Sequence, residues 1–302
     1  MAYTTIDDPS AHFQIDLYTG TGSSLSVTND GNSDLKPDWV WVKSRSNGST
    51  HNVVFDSSRG VNNRLITNLT IAEDTGDGYG VVSAFNTDGF TVNPQTNLIN
   101  VGGNGYTYAA WQWKANGGTT ASNSSGATTT TVQANQDAGF SILTWSGNGS
   151  ATTLGHGLGV EPEVIIQKAR GTTSNWAVYH KQANATPYNV VTYLNLTDAT
   201  GIASNSWGTA ASDINSNTFY LKHWFNYNTT NLAYCFASKQ GYSKFDKYIG
   251  NGNADGPFVY TGFKPAFVLT KRTDTTGNWL MYDNKRIGHN PNNYELYANL
   301  DN

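Results

Sequence analysis

The segment FQIDLYTGTG at residues 13–22 recurs as FSILTWSGNG at residues 140–149 and, shortened, as FDKYIGNG at residues 245–252. Each copy begins with Phe and continues into an aromatic-x-Gly-x-Gly motif. Three copies of one extended unit predict that the chain is an array of repeats. Arrays of this kind present repeated surfaces more often than they build one catalytic centre.

A second motif follows each copy and strengthens the repeat. It is a Pro-led apolar run that ends in Lys six positions later: PDWVWVK from Pro37, PEVIIQK from Pro162 and PAFVLTK from Pro265. Turn-separated, alternating segments come after this run in the same order, which is typical of successive β-strands. No counterpart of the segments around Phe219 and Tyr234 follows the third run.

The composition favours strands over helices. Charged residues make up only 13% of the chain and aromatic residues another 13%, with many Asn, Thr, Ser and Gly. Aromatic residues and Thr favour strands, whereas Gly and Asn favour turns. We therefore expect an all-β protein of tandem antiparallel β-sandwich repeats with a jelly-roll or lectin-like arrangement.

The repeat boundaries divide the chain into five segments. They are an N-terminal attachment segment (1–11), β-sandwich repeat 1 (12–115), a Gly/Ser/Thr-rich linker (116–137), β-sandwich repeat 2 (138–240) and an incomplete β-sandwich repeat 3 (241–302). We call the three repeats units one, two and three. A unit without its last strands leaves an unpaired edge, so the natural protein is expected to continue for roughly 40 residues past Asn302.

Charge and hydropathy exclude several classes of partner. The net charge of -4 comes without a basic stripe, which argues against nucleic acid. No apolar run reaches the roughly 20 residues that span a bilayer. The first residues lack the basic and apolar regions of a signal peptide, so synthesis in a cytoplasm is expected. The single cysteine, Cys235, lies in an apolar run and is expected to be buried.

The sequence predicts no enzymatic activity, metal or cofactor. Asp56, His180 and Asp283 occupy matching positions in the three units, where they suit strand ends or ion pairs. A glycosidase needs a pair of carboxylates at a set separation, and a His in unit two breaks that pattern. His156 lies in a Gly-rich turn without partners at metal-ligand spacing.

Two tryptophans of unit two have no aromatic equivalent in unit one. Trp207 lies in a polar loop, and Trp224 lies in HWFNYN together with Tyr227. Aromatic faces beside Asn and His suit sugar rings, which combine apolar C–H faces with hydroxyl groups, and they also suit protein contacts. These three residues are the candidate binding site. The alternative is that the rings pack on a neighbouring unit or subunit.

The two motifs, together with GPFVYTGFKPAFV at residues 256–268, resemble a family of repeated β-domains in virion proteins of tailed phages. These phages infect cyanobacteria and other aquatic bacteria, and the proteins are usually described as tail fibres or structural proteins. The resemblance covers nearly the whole chain and implies a lectin-like fold. It assigns no catalytic or binding residue. The chain departs from the family in its incomplete third unit.

The resemblance implies a non-enzymatic tail fibre or adhesin that attaches a virion to its host. Its partners would be other tail proteins and a host cell-surface glycan or protein, and a homotrimer is the usual state of such fibres. A head fibre or capsid decoration protein is one alternative. A tailspike-like polysaccharide depolymerase is another, and it would need a carboxylate cluster in a groove.

Overall fold

A computed structural model describes residues 4–75, 80–93, 100–202, 205–287 and 294–301. The regular structure consists of β-strands and three short 3-10 helices, at Pro9–Ala11, Pro187–Asn189 and Ala211–Asp213. Every pair of neighbouring strands in the sheets is antiparallel. The expectation of an all-β, antiparallel protein is therefore confirmed.

The described residues of unit one form eight strands in two sheets. They are β1 (Phe13–Thr19), β2 (Leu25–Val27), β3 (Trp39–Ser44), β4 (Val53–Asp56), β5 (Leu65–Ile66), β6 (Val81–Phe85), β7 (Phe90–Asn93) and β8 (Thr107–Trp113). The main sheet has the order β1-β8-β3-β4-β5, and the second sheet has the order β2-β7-β6. The last strand of the unit, β8, thus lies between β1 and β3 and pairs with both.

Unit two repeats this order and extends it. Its strands are β9 (Ala121–Asn123), β10 (Thr130–Asn135), β11 (Phe140–Ser146), β12 (Thr152–Gly155), β13 (Val164–Ala169), β14 (Ala177–His180), β15 (Val190–Tyr193), β16 (Gly201–Ile202), β17 (Thr218–Leu221) and β18 (Thr230–Phe236). The main sheet is β16-β15-β14-β13-β18-β11-β10-β9, and β12 pairs with β17. Its central part, β11-β18-β13-β14-β15, matches the main sheet of unit one strand for strand.

The linker predicted at 116–137 is wrong in part, because this segment contains β9 and β10. Both strands belong to the main sheet of unit two, where β10 pairs with β11 from Thr131↔Thr144 to Asn135↔Phe140. A Thr-rich run is compatible with either a flexible linker or a strand. Here the run forms a strand because the neighbouring edge of β11 provides its hydrogen-bonding partner.

Unit three contributes three strands: β19 (Phe267–Lys271), β20 (Trp279–Asp283) and β21 (Leu296–Tyr297). They form one sheet in the order β19-β20-β21, which corresponds to β3-β4-β5 and to β13-β14-β15. In the described part of the unit, no strand takes the place of β8 or β18. The segment at 245–252 that repeats β1 is consequently not a strand.

The main sheets of the three units pack around one shared core. Its buried members come from unit one (Ile15, Trp39, Trp41, Val54, Leu65, Ala109, Trp111 and Ala115), unit two (Phe140, Ile142, Val164, Ile166, Trp176, Val178, Leu194, Leu232, Tyr234 and Phe236) and unit three (Trp279, Met281, Leu296 and Ala298). The Trp39 ring lies 4.3 Å from that of Tyr234. The units are therefore packed sheet against sheet.

Units one and two each have a second core on the opposite face of the main sheet. In unit one, Val40 and Phe55 of the main sheet pack with Val82 and Phe90 of the second sheet. All six residues of β3 and all six of β13 are buried. Burial on both faces explains why these strands are continuous apolar runs.

Equivalent hydrogen bonds join the units in a closed ring. The lysine at the end of each Pro-led run donates from Nζ to a carbonyl of another unit: Lys43 to Asp301 (2.6 Å), Lys168 to Thr70 (3.1 Å) and Lys271 to Thr197 (3.3 Å). The accepting residues are equivalent, because each follows an Asn-Leu pair in the sequence. Unit one thus binds unit three, unit two binds unit one, and unit three binds unit two.

Candidate functional site

Trp224 is the exposed tryptophan of this protein. All nine tryptophans lie within the described residues, and Trp224 is the one with more than a third of its surface accessible, at 37%. It lies between β17 and β18 in a tight turn. The backbone N–H groups of Phe225 and Asn226 both donate to the carbonyl of Lys222, at 3.0 and 3.1 Å, and close the turn.

Two buried residues directly after Trp224 anchor this turn. The Phe225 ring stacks on that of Trp207 at 5.9 Å inside unit two. The buried Asn226 side chain accepts from Trp145 Nε1 at 2.8 Å and donates to the carbonyl of Ser150 at 2.7 Å. Because these two residues are fixed inside unit two, the backbone of Trp224 is held at the surface.

Polar and cationic groups surround the Trp224 ring. The Lys222 ammonium lies 4.4 Å from the ring centroid, which is a cation–π contact. The His223 ring is 4.7 Å away and nearly perpendicular, and Trp224 Nε1 donates to Ser206 Oγ at 3.4 Å. Lys222 covers one face of the indole, so the other face is the one that a sugar ring or an apolar side chain would contact. We call Lys222, His223 and Trp224 the Trp224 patch.

The surface position predicted for Trp207 is wrong. Trp207 is fully buried, and its ring packs against Tyr179, Phe219 and Phe225 at 5.8, 6.4 and 5.9 Å. The polar residues that precede it in the sequence suggested a solvated loop, but the indole fills the second core of unit two. Its faces are not available to a ligand.

Tyr227 follows the anchored turn and is half-buried. Burial raises the pKa of its phenol above the ordinary value. Its backbone carbonyl accepts from Asn231 Nδ2 at 2.9 Å, which ties the residue to the start of β18. A binding role for Trp224 and Tyr227 remains a prediction.

A hydroxyl-lined cleft of about 470 Å³ is a feature that sequence reasoning missed. It is lined by Thr128, Thr129, Thr131, Thr144, Trp145, Ser146, Arg170 and Thr230. Six of these side chains carry a hydroxyl group, which suits polyhydroxylated ligands. The run of four threonines at 128–131 was the available signal, and its interpretation as part of a linker concealed it.

The matching acidic residues of the repeats are buried in ion pairs. Asp56 Oδ2 accepts from Arg59 Nε at 2.5 Å and from the Tyr234 hydroxyl at 2.7 Å. Asp283 Oδ2 accepts from Arg286 Nε at 2.7 Å in the same i,i+3 arrangement. These carboxylates stabilise strand ends, as the sequence suggested for the position.

Across the described ranges, no three His, Cys, Asp or Glu side chains are placed to hold a metal ion.

The buried thiol was predicted correctly. Cys235 is fully buried in β18, and burial raises its pKa well above the ordinary value. A thiol in this state is a poor nucleophile.

The comparisons place residues 8–302 in one family. The family model described as Domain of unknown function (DUF7483) matches this range. No curated protein and no solved structure is significantly similar to the chain. Within the described residues, none of the helices has the length and hydropathy needed to cross a membrane.

Proposed function

We propose that this chain, which belongs to the family described as domain of unknown function DUF7483, is a non-enzymatic virion protein of a tailed phage. In this proposal it is a tail fibre or adhesin that binds a host cell-surface glycan. Residues 1–11 attach it to other tail proteins, and three chains form the fibre. The two-layer units are assigned as jelly-roll, lectin-like repeats.

The observation that carries the proposal is the exposure of Trp224 in a protein that buries seven of its nine tryptophans and half-buries Trp113. Exposing an indole face to water is unfavourable, and tryptophan is enriched among the residues that dominate the energetics of binding interfaces. The anchored turn also fixes the backbone of Trp224 in advance, so a ligand would not have to order the turn. His223, Lys222 and the hydroxyl-lined cleft add donors and acceptors that suit a polysaccharide.

The test is binding of the purified protein to polysaccharide extracted from candidate host cells. Trp224→Ala is expected to weaken saturable binding at least about tenfold, since one buried aromatic anchor contributes on the order of 2 kcal/mol. Quenching of tryptophan fluorescence by the glycan should disappear in the same variant.

Phe258→Ala is the matched control, because Phe258 is 90% exposed in unit three and remote in sequence from the patch. It should bind like the wild type. Equal binding by Trp224→Ala and wild type would exclude the Trp224 patch. Absence of saturable binding to any host glycan would contradict the adhesin, and shortening of the glycan would favour a depolymerase.

A further inference from the structure

The hydroxyl-lined cleft begins where the shared core ends. Along β11, Phe140 and Ile142 are buried in the shared core, and the Phe140 ring stacks on Trp39 of unit one at 5.9 Å. Thr144 and Ser146 continue the same face, because alternate side chains of a strand project to one side. Thr144 is half-buried and Ser146 is exposed. This face of β11 is thus apolar where unit one covers it and carries hydroxyl groups where it is open.

The neighbouring strands place further hydroxyl groups on the same face. Thr131 of β10 is opposite Thr144, and Thr230 of β18 is opposite Ser146. Residues that are opposite each other in an antiparallel pair project to the same side, with Cβ atoms about 5 Å apart. The cleft therefore presents an array of hydroxyl groups that extends across three strands.

These hydroxyl groups have no partner in the part of the protein that the structure describes. There the side chains of Thr131, Thr144, Ser146 and Thr230 make no hydrogen bond, whereas the hydroxyl of the neighbouring Thr128 is bonded to that of Thr152 at 2.7 Å. A hydroxyl group donates one hydrogen bond and accepts two. The array is consequently available to a ligand as both donor and acceptor.

The one ionisable side chain among those that line the cleft has its charge balanced. Arg170 donates from Nη2 and Nε to the carboxylate of Glu73, at 2.7 and 3.0 Å. A bidentate pair of this kind fixes the plane of the guanidinium. An anionic ligand would approach Glu73 without a further cation in the lining to compensate it, so the cleft favours a neutral ligand.

We infer that this cleft is a second glycan-binding site, which takes a neutral saccharide segment and is separate from the Trp224 patch. The inference rests on the proposed function as an adhesin and adds a site and a charge class to it. Sugar hydroxyls donate and accept in the same way as the array does. The methyl groups of the threonines would contact the C–H groups of the sugar ring.

The cleft and the Trp224 patch belong to different sides of the main sheet of unit two. Thr144 projects to the side of the shared core, whereas Phe225, which anchors the turn of Trp224, belongs to the second core. Two separate sites allow one virion protein to hold a polysaccharide layer at two points. Linked sites bind more tightly together than either does alone.

The test is a titration of the whole protein, with labelled threonine methyl groups, by the neutral fraction of host polysaccharide after anion exchange. The methyl signals of Thr131, Thr144 and Thr230 are expected to shift saturably, both in the wild type and in Trp224→Ala. In the Trp224→Ala background, the double variant Thr131→Val/Thr144→Val should weaken binding at least about tenfold, because two hydrogen-bonding hydroxyls are lost. Valine keeps the β-branched shape that suits a strand.

Thr19→Val/Thr107→Val in the same background is the matched control. Thr19 and Thr107 are opposite each other on β1 and β8 of unit one, and one is exposed and the other half-buried, like Thr131 and Thr144. This variant should bind the neutral fraction as tightly as its background does.

Three results would overturn the inference. They are unshifted signals of the three threonines while the wild type binds the polysaccharide, undiminished binding by the Thr131→Val/Thr144→Val variant, and saturable shifts with the acidic fraction alone. The first of these would leave the Trp224 patch and the proposed function in place. Absence of any binding by the wild type would instead contradict the adhesin and both sites, so the two failures can be distinguished.

Discussion

Two tryptophans only seventeen residues apart, Trp207 and Trp224, have opposite environments. Trp207 is buried among three aromatic rings, whereas Trp224 stands on an anchored turn. Trp207→Ala would leave a large cavity and should lower the free energy of unfolding by about 3–5 kcal/mol. Trp224→Ala should change it by less than about 1 kcal/mol. Urea unfolding of both variants checks the difference, and similar losses would contradict the two environments.

Asp16 is a buried carboxylate whose charge opposes folding. Gln112 Nε2 donates to Asp16 Oδ2 at 2.6 Å, but burial, with a smaller effect of Asp30, raises the pKa of Asp16 to about 6. The folded state thus binds a proton more tightly than the unfolded state, whose Asp pKa is about 3.9. The contribution of Asp16 to stability is therefore lost as the pH rises from about 4 to about 6.

Asp16→Asn keeps the acceptor for Gln112 and removes the titration. Its stability relative to the wild type should be greater at pH 7 than at pH 4, by up to about 3 kcal/mol. Chemical denaturation at the two pH values measures this difference. A difference that does not depend on pH would show that Asp16 titrates normally in the folded protein.

At the scale of the elements, the penultimate residue of β13, Lys168, joins units one and two. Lys168 is fully buried, and its Nζ donates to the carbonyls of Thr70 and Ser174 at 3.1 and 2.9 Å. Burial lowers its pKa to about 8. Between about pH 8 and pH 10.4 the unfolded state binds more protons than the folded state, so this group adds stability as the pH rises through that window.

Lys168→Met removes the ionisable group and keeps most of the side-chain volume. The stability of the wild type relative to this variant should rise by up to about 3 kcal/mol between about pH 7.5 and pH 10.5. Tyrosines that titrate in the same range are common to both proteins and cancel. A relative stability that falls with pH would contradict the lowered pKa.

Strands whose residues alternate or form apolar runs could be predicted from the sequence, whereas strands defined by a partner could not. The runs at β3, β13 and β19 were predicted, because a short run of consecutive apolar residues is typical of a buried strand. The strands β9 and β10 were not, because a Thr-rich segment becomes a strand only beside a free edge. The burial of Trp207 was missed for a similar reason, since its partner Phe225 is eighteen residues away.

At the scale of the whole molecule, the repeat predicted three units and the absence of counterparts of β8 and β18 from the described part of the third. It did not predict that the units share a core. An apolar run such as β3 shows that both faces of the strand are covered, but not which residues cover the second face. Trp39 meets Tyr234 of unit two, and Trp111 meets Phe267 of unit three at 5.6 Å. These contacts depend on the closed ring of units, which has no local sequence signal.

The shared core predicts that damage to unit three weakens units one and two. Met281 is fully buried in that core, and Met281→Ala should lower the free energy of unfolding by about 2–5 kcal/mol. If the three units unfolded independently, the exchange of amides in β3 and β13 would not change in this variant. With one core, opening of these strands requires the same global unfolding, so their exchange should accelerate by a factor that matches the loss of stability.

Val268→Ala, on the exposed face of β19, is the matched control and should leave β3 and β13 protected. Acceleration confined to β19–β21 in Met281→Ala would show that the three units unfold separately.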